Sequence, residues 1–188
     1  MPQGRLLFSL IAAAAIALLG LLLTGGDEEA ADPATTPQAE RPDFFLEDFE
    51  MVAYDSGGQR HGTLQGRLGE HFPQRGELEI HAPEMTLRSR EGINWRARAP
   101  LGIAHREQEW IELRDEVTIR RPATAERPPL EIETRQLRID TAAGKARTEA
   151  PVTAREPLGT LRGTGMTLDY LGDRLRLHAD VRGTYELR

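Results

Sequence analysis

From Asp43 onward the chain alternates between apolar and polar residues with a period of two, which predicts strands with one buried face. Phe45, Phe49, Met51 and Ala53 share one parity, and "YDSGGQ" turns the chain. Leu64 and Leu68 follow on one face, and "PQRG" turns again. Leu78 and Ile80 lead through "HAPE" to Met85 and Leu87, and "REGIN" turns. Trp95, Ala97, Ala99, Leu101 and Ile103 share a parity up to "HREQE"; Ile111, Leu113, Val117 and Ile119 form the next run. "RRPATAERPP" reads as a longer loop, because proline cannot donate to a central ladder. Leu130, Ile132, Leu137 and Ile139 precede the turn "DTAAGK", and Val152 and Ala154 come after it. The glycines of "EPLGTLRGTG" predict a bulge or bend. Met166, Leu168 and Tyr170 run to the turn "LGD", and Leu175, Leu177, Ala179, Val181 and Tyr185 make the last strand. No stretch here keeps a 3.6-residue period for three turns, so the domain is all-β.

The alternation also carries a loose repeat. "LEIHAPEMTL", "IELRDEVTI", "LEIETRQLRI" and "LRLHADVRG" share one plan: two alternating apolar residues, a short break and a second apolar pair. A strand that breaks and resumes turns a corner between two sheets. A stack of such strands makes a flattened, open-ended roll with an aliphatic inner wall.

The N-terminus differs. Leu6 to Leu23, "LLFSLIAAAAIALLGLLL", holds no charge and is long enough as a helix to span a bilayer core. Arg5 precedes it and Asp27, Glu28, Glu29 and Asp32 follow, so residues 1–5 are expected in the cytoplasm and the rest of the chain outside. A cleavable signal peptide would have an apolar core of about 7–15 residues and a small-x-small site close behind. The longer run and the following "TGG" favour a retained anchor at 6–23. Residues 24–42, rich in Pro, Ala, Thr and acid, read as a linker, and 43–188 as the exported domain.

Composition narrows the chemistry. There is no cysteine, which excludes disulfides, thiolate metal sites and a cysteine nucleophile. The net charge is −6, which disfavours nucleic acid as a partner and electrostatic capture of phosphates in general. His61, His71, His81, His105 and His178 form no helical ligand pair and are expected at the surface. Ser56 and Ser89 sit beside turns, with no G-x-S-x-G. "RGTG" lacks the lysine and helix of a P-loop. The carboxylates fall on the polar parity of strands, where a solvated face is the expected role. No catalytic residue, metal site or cofactor is assigned. A glycan-binding β-domain tethered at the membrane would call for aromatic platforms, and aromatic residues make up 5% of the chain.

With these features in place, the sequence resembles the LptC family, the inner-membrane component of the lipopolysaccharide export machinery. "PDFFLEDFEMVAYDSGGQRHGTLQG" is similar to the family's P-D-Y/F entry and Y-D-x-x-G turn. "LEIHAPEMTL" resembles its L-x-x-P-x-x-x-L segment, and "WRARAPLGIA" its W-x-x-x-A strand. "WIELRDEVTIRRP" resembles V-x-L-x-G-x-V-x-I, with Asp115 where glycine is usual. "LEIETRQLRIDTAAGKARTEAPVTA" is similar to L-x-T-x-x-L-x-V-D, a turn, and A-x-T-x-x-P-V; "LRGTGMTLD" and "VRGTYE" complete the order. The resemblance implies an open, V-shaped periplasmic β-jellyroll of the OstA-like kind, behind a single transmembrane helix. It implies no enzymatic activity, and transfer of lipopolysaccharide from an inner-membrane ABC transporter (LptBFG-like) to a soluble periplasmic bridge (LptA-like). On that reading the acyl chains of lipid A would meet an inner wall of Met51, Ile80, Leu87, Trp95, Leu113, Ile119, Ile132, Ile139, Met166, Leu168, Leu175, Leu177 and Tyr185. The transporter would meet the anchor and the first strand through Phe44, Phe45 and Phe49. The bridge would meet the last strand through Leu175, Leu177, Val181 and Tyr185.

Overall fold

The computed structural model of the chain describes residues 40–54, 57–105 and 110–186. The expected anchor at 6–23 and nearly all of the linker at 24–42 lie outside them. Among the described residues no helix is long and apolar enough to cross a membrane.

The strands are β1 (Phe44–Tyr54), β2 (Arg60–Phe72), β3 (Glu77–His81), β4 (Glu84–Arg88), β5 (Asn94–Arg98), β6 (Leu101–His105), β7 (Trp110–Arg121), β8 (Leu130–Asp140), β9 (Lys145–Glu156), β10 (Gly159–Asp169) and β11 (Arg174–Tyr185). They form one 11-stranded sheet, and every pairing in it is antiparallel. The path is a meander once the short strands are joined in pairs. β3 and β4 both pair with β2, and β5 and β6 both pair with β7, so each pair is one bent strand broken at its middle. The breaks fall at Ala82–Pro83 and Ala99–Pro100, where proline cannot extend the ladder. The two breaks bind each other: Ala82 N donates to Pro100 O at 2.8 Å, and Ala99 N to Pro83 O at 3.3 Å.

Among the described residues, five of the seven unbroken strands carry a left-handed residue at the same level. Asp48 in β1, Asp115 in β7, Gln136 in β8, Gly165 in β10 and Asp180 in β11 have left-handed backbone (φ 43, 65, 50, 72 and 52), as has Ala82 between β3 and β4 (φ 51). Each of the four repeat segments in the sequence therefore carries one left-handed residue. Asp115, where the family resemblance leads one to expect glycine, adopts the glycine-like conformation; aspartate tolerates it better than most residues. Together the bends make a crease that folds the sheet into two facing layers. The first layer carries the 73–76, 141–144 and 170–173 turns at its tips. The second carries the β7–β8 loop and the β9–β10 turn.

At the crease the β8–β9 ladder is interrupted between Glu133 and Arg138. Two buried threonines bridge the gap. Thr134 Oγ1 donates to Pro151 O at 3.0 Å, and Thr148 Oγ1 donates to Arg135 O at 2.7 Å while accepting from Ala150 N at 3.0 Å. The backbone groups that bending takes out of the ladder are thus satisfied by side chains, as burial requires.

Crossing the crease can invert which parity faces inward. In β8, Leu130, Ile132 and Thr134 point in; past Gln136 it is Leu137 and Ile139. This corrects three expectations. Phe45 does not share the buried face of Phe49: it is 66% exposed, because β1 inverts at Asp48. Leu68 does not share the face of Leu64, since it stands opposite Glu47 and His81 while Leu64 packs in the core. Ile103 is buried but lies outside the core cluster, opposite Glu79 and Glu112 on the other face of the sheet. One further correction concerns His71. It is buried rather than at the surface, with Nδ1 2.6 Å from Asp43 and its ring stacked on Phe44.

Candidate functional site

The space between the layers is the main apolar feature of the described residues. Ile80, Leu87, Trp95, Leu113, Ile119, Ile132, Ile139, Met166 and Leu168, all nominated from the sequence, fall in one core cluster. Leu175 and Leu177 pack against it half-buried. The cluster joins both layers, so the interior is filled by its own side chains rather than standing open as a V-shaped channel. The alternation alone made Val117, Leu137 and Val152 equally eligible, and they belong to the same cluster.

Met51 and Tyr185 are corrections to the inner-wall set. They are 40% and 64% exposed. Met51 stands opposite Leu64 and so keeps an inward parity, but β1 is the margin of the sheet and little lies over it. Tyr185 stands opposite Gly159 on β11, the other margin; that glycine has no side chain to cover its ring.

Both margins have the same character. Among the described residues β1 pairs with β2 alone and β11 with β10 alone, so each offers a free row of backbone donors and acceptors. β11 has 12 residues, which gives an edge roughly 40 Å long at about 3.3 Å per residue. Among the described residues the large apolar side chains that remain exposed are Phe45, Met51 and Tyr54 on β1, Val181 and Tyr185 on β11, and Leu158 in the turn before β10. Of the residues nominated for the edges, Phe45, Val181 and Tyr185 are exposed, whereas Phe44, Phe49, Leu175 and Leu177 are half-buried. Phe49 closes over Gly66, where an added Cβ would come within 2.8 Å of its ring.

Polar groups on the outer faces mostly pair with each other across the ladder. Arg98 meets Glu84 at 2.7 Å, Arg120 meets Glu131 at 2.6 Å and Arg155 meets Glu133 at 2.6 Å. Hydrogen bonding to Glu133 holds the Arg155 guanidinium above its ordinary pKa, and hydrogen bonding to Glu79 does the same for Arg75. Tyr170 places a phenol in the interior. Burial pushes its phenol well above the ordinary value, helped by nearby Asp140 and Asp169, and its hydroxyl donates to Thr141 O at 3.3 Å. Among the described residues no group of His, Asp and Glu is placed to hold a metal ion.

An antiparallel two-layer roll, apolar inside and unpaired at both margins, defines the class as a β-jellyroll with open edges. Residues 9–186 match the LptC-related lipopolysaccharide-assembly family, and the chain belongs to that family. Its role therefore lies in lipopolysaccharide transport. Among curated proteins no relative matches the sequence. Among solved structures the chain is similar to LptH from Pseudomonas aeruginosa, the LptA-homologous periplasmic component of the conserved lipopolysaccharide transport device. That likeness has a TM-score of 0.53 at 6% identity and covers 67% of this chain and 95% of that one, so it speaks for the fold alone.

Proposed function

We propose that this protein is a non-enzymatic lipid-transfer adaptor. It takes lipopolysaccharide from an inner-membrane ABC transporter between its two layers and hands it to a soluble periplasmic bridge of LptA-like fold. The carrying observation is the pairing of an aliphatic interior with two free, apolar-decorated edges at opposite ends of one sheet. Acyl chains moving through water cost about 0.8 kcal/mol per exposed CH₂, and an aliphatic interior removes that cost without specific chemistry. A free edge recruits another sheet by adding a strand. The edge of β11 serves the bridge, and the edge of β1, which follows the linker, serves the transporter. Residues 6–23 hold the domain at the periplasmic face of the inner membrane.

Two experiments test this. A photo-crosslinking residue at Ile80 or Leu175 traps lipopolysaccharide in cells; no adduct from any inward position would sink the transfer reading. Deleting Leu175 to Arg188 abolishes co-purification with the bridge and leaves the transporter bound. Retention of the bridge would show that β11 is not its docking edge.

A further inference from the structure

The alternation leaves one buried group of charges without a role. Where the tips of the two layers meet, Asp173 in the β10–β11 turn is 3% exposed at its side chain and has left-handed backbone (φ 50). Arg121, the last residue of β7 and 6% exposed at its side chain, reaches it from the other layer. Its Nη1 donates to both carboxylate oxygens at 3.1 Å. Arg127, from the β7–β8 loop, pairs with the same carboxylate. Arg121 also has supports of its own: Nη2 donates to Pro128 O at 2.8 Å and lies 3.9 Å from Glu156, and the guanidinium is 5.7 Å from the Trp95 ring. The cation is therefore fixed in place, while the anion is carried on a short turn. Two further bonds cross here among those described, both long: Arg127 Nη1 donates to Asp173 O at 3.5 Å, and Arg90 N donates to Leu171 O at 3.4 Å.

Immediately outside lies a hollow of about 800 Å³ over β5, β7, β8 and β9. Arg96, Arg98, Arg120, Arg121 and Arg155 line it, against the carboxylates of Glu131 and Glu156. Arg96 stands directly opposite Arg120 in the ladder and has no carboxylate partner among the described residues. Like charges facing each other across a ladder destabilise it. In a chain of net charge −6, this is a local excess of cation beside the buried Arg121 guanidinium.

We infer that Arg121 and Arg127 form a phosphate site at the mouth of the roll, that Asp173 fills it with the chain's own carboxylate while no ligand is bound, and that the phosphate of an entering amphiphile takes Asp173's place. The inference rests on the lipid-transfer reading and names the polar half of its substrate. A phosphate monoester carries about −1.5 to −2 charges and three acceptor oxygens, against one charge on a carboxylate. Guanidinium forks fit it well. Exchange leaves neither guanidinium bare, whereas simple loss of Asp173 would strand a buried charge. Arg96 and Arg120 hold the headgroup in the hollow as it approaches. Once Asp173 is released, the two tips can part and admit acyl chains. The acidic balance of the whole chain thus conceals a site for the anion it argues against.

The test uses the full chain in detergent, with a photo-crosslinker at Leu177. It is titrated with an acylated diglucosamine bearing two phosphates and with the same molecule stripped of them. The phosphorylated form should half-saturate at about tenfold lower concentration, the scale of a charge-assisted hydrogen bond or two. Asp173→Asn should tighten the phosphorylated ligand several-fold more than the stripped one, which gains only from the loosened tips. Arg127→Gln, at a position 40% exposed and so tolerant of change, should abolish the difference between the two. Equal binding of both ligands overturns the inference, as does an Asp173→Asn variant that improves both alike. Equal binding together with stabilisation by inorganic phosphate alone would mark a free-anion site and also overturn it. No crosslink to either ligand would overturn the transfer reading itself.

Discussion

Thr148→Val tests whether side-chain hydroxyls hold the crease together. The substitution keeps the volume, the β-branching and the burial, and removes one hydroxyl. Thr148 Oγ1 donates to Arg135 O at 2.7 Å and accepts from Ala150 N at 3.0 Å, and its residue is 4% exposed. Each bond is worth about 1 kcal/mol net, and a buried carbonyl and N–H losing their partner adds a desolvation penalty. The total is about 2–3 kcal/mol, set against roughly 5–15 kcal/mol for a domain of this kind. Urea denaturation followed by the fluorescence of buried Trp95 measures it, and the thermal midpoint should fall by about 3 °C for each kcal/mol. Thr86→Val, on a half-buried ladder position of β4, is the control and should stay within about 0.5 kcal/mol. If Thr148→Val also changes stability by less than about 0.5 kcal/mol, the crease is held by packing alone and the account of the threonines is wrong.

Three further outcomes follow from the same structure. Gln136→Gly relieves a left-handed side chain and should stabilise the domain by about 0.5–1 kcal/mol, whereas Gln136→Val should destabilise it; equal effects would refute the φ assignment. Tyr170 has a raised phenol pKa in the folded state, so its contribution is full below the ordinary value near pH 10 and is lost above it, at about 1.4 kcal/mol per pH unit. Alkaline unfolding of wild type should show that slope, and Tyr170→Phe should lack it. Gly66→Val would drive a side chain into Ile80 and Phe49, where even a Cβ would sit at 2.6 and 2.8 Å, and should cost more than about 2 kcal/mol in the same urea assay.

Much of this architecture can be read from residue order. Period-two alternation locates the strands, and the break between apolar pairs in "LEIETRQLRI" corresponds to a real bend at Gln136. The bulge expected among the glycines of "LRGTG" falls at Gly165. What alternation cannot show is a change of face inside a continuous strand. Asp48 looks like any polar residue, yet its backbone turns Phe45 outward and leaves Phe44 and Leu46 on the half-buried side. Nor does parity separate an inward residue in the middle of the sheet from one at its margin. Met51 and Ile80 read alike in sequence, and only the order of strands sets them apart. The contact between Arg121 and Asp173 spans 52 positions, and both residues belong to a class whose usual place is the solvated face.

The meander has a consequence for how the molecule is made. After the paired short strands are joined, each strand's neighbour in space is its neighbour in sequence. For a β protein this keeps loop-closure entropy low and favours rapid folding by the addition of one hairpin at a time. A chain that emerges N-terminus first can lay down the sheet in the order in which it appears. At every stage the growing margin is an unpaired strand awaiting the next, and among the described strands β11 is the last margin so formed. The docking proposed for β11 would then be one more round of the same strand addition, with the next strand supplied by a different polypeptide.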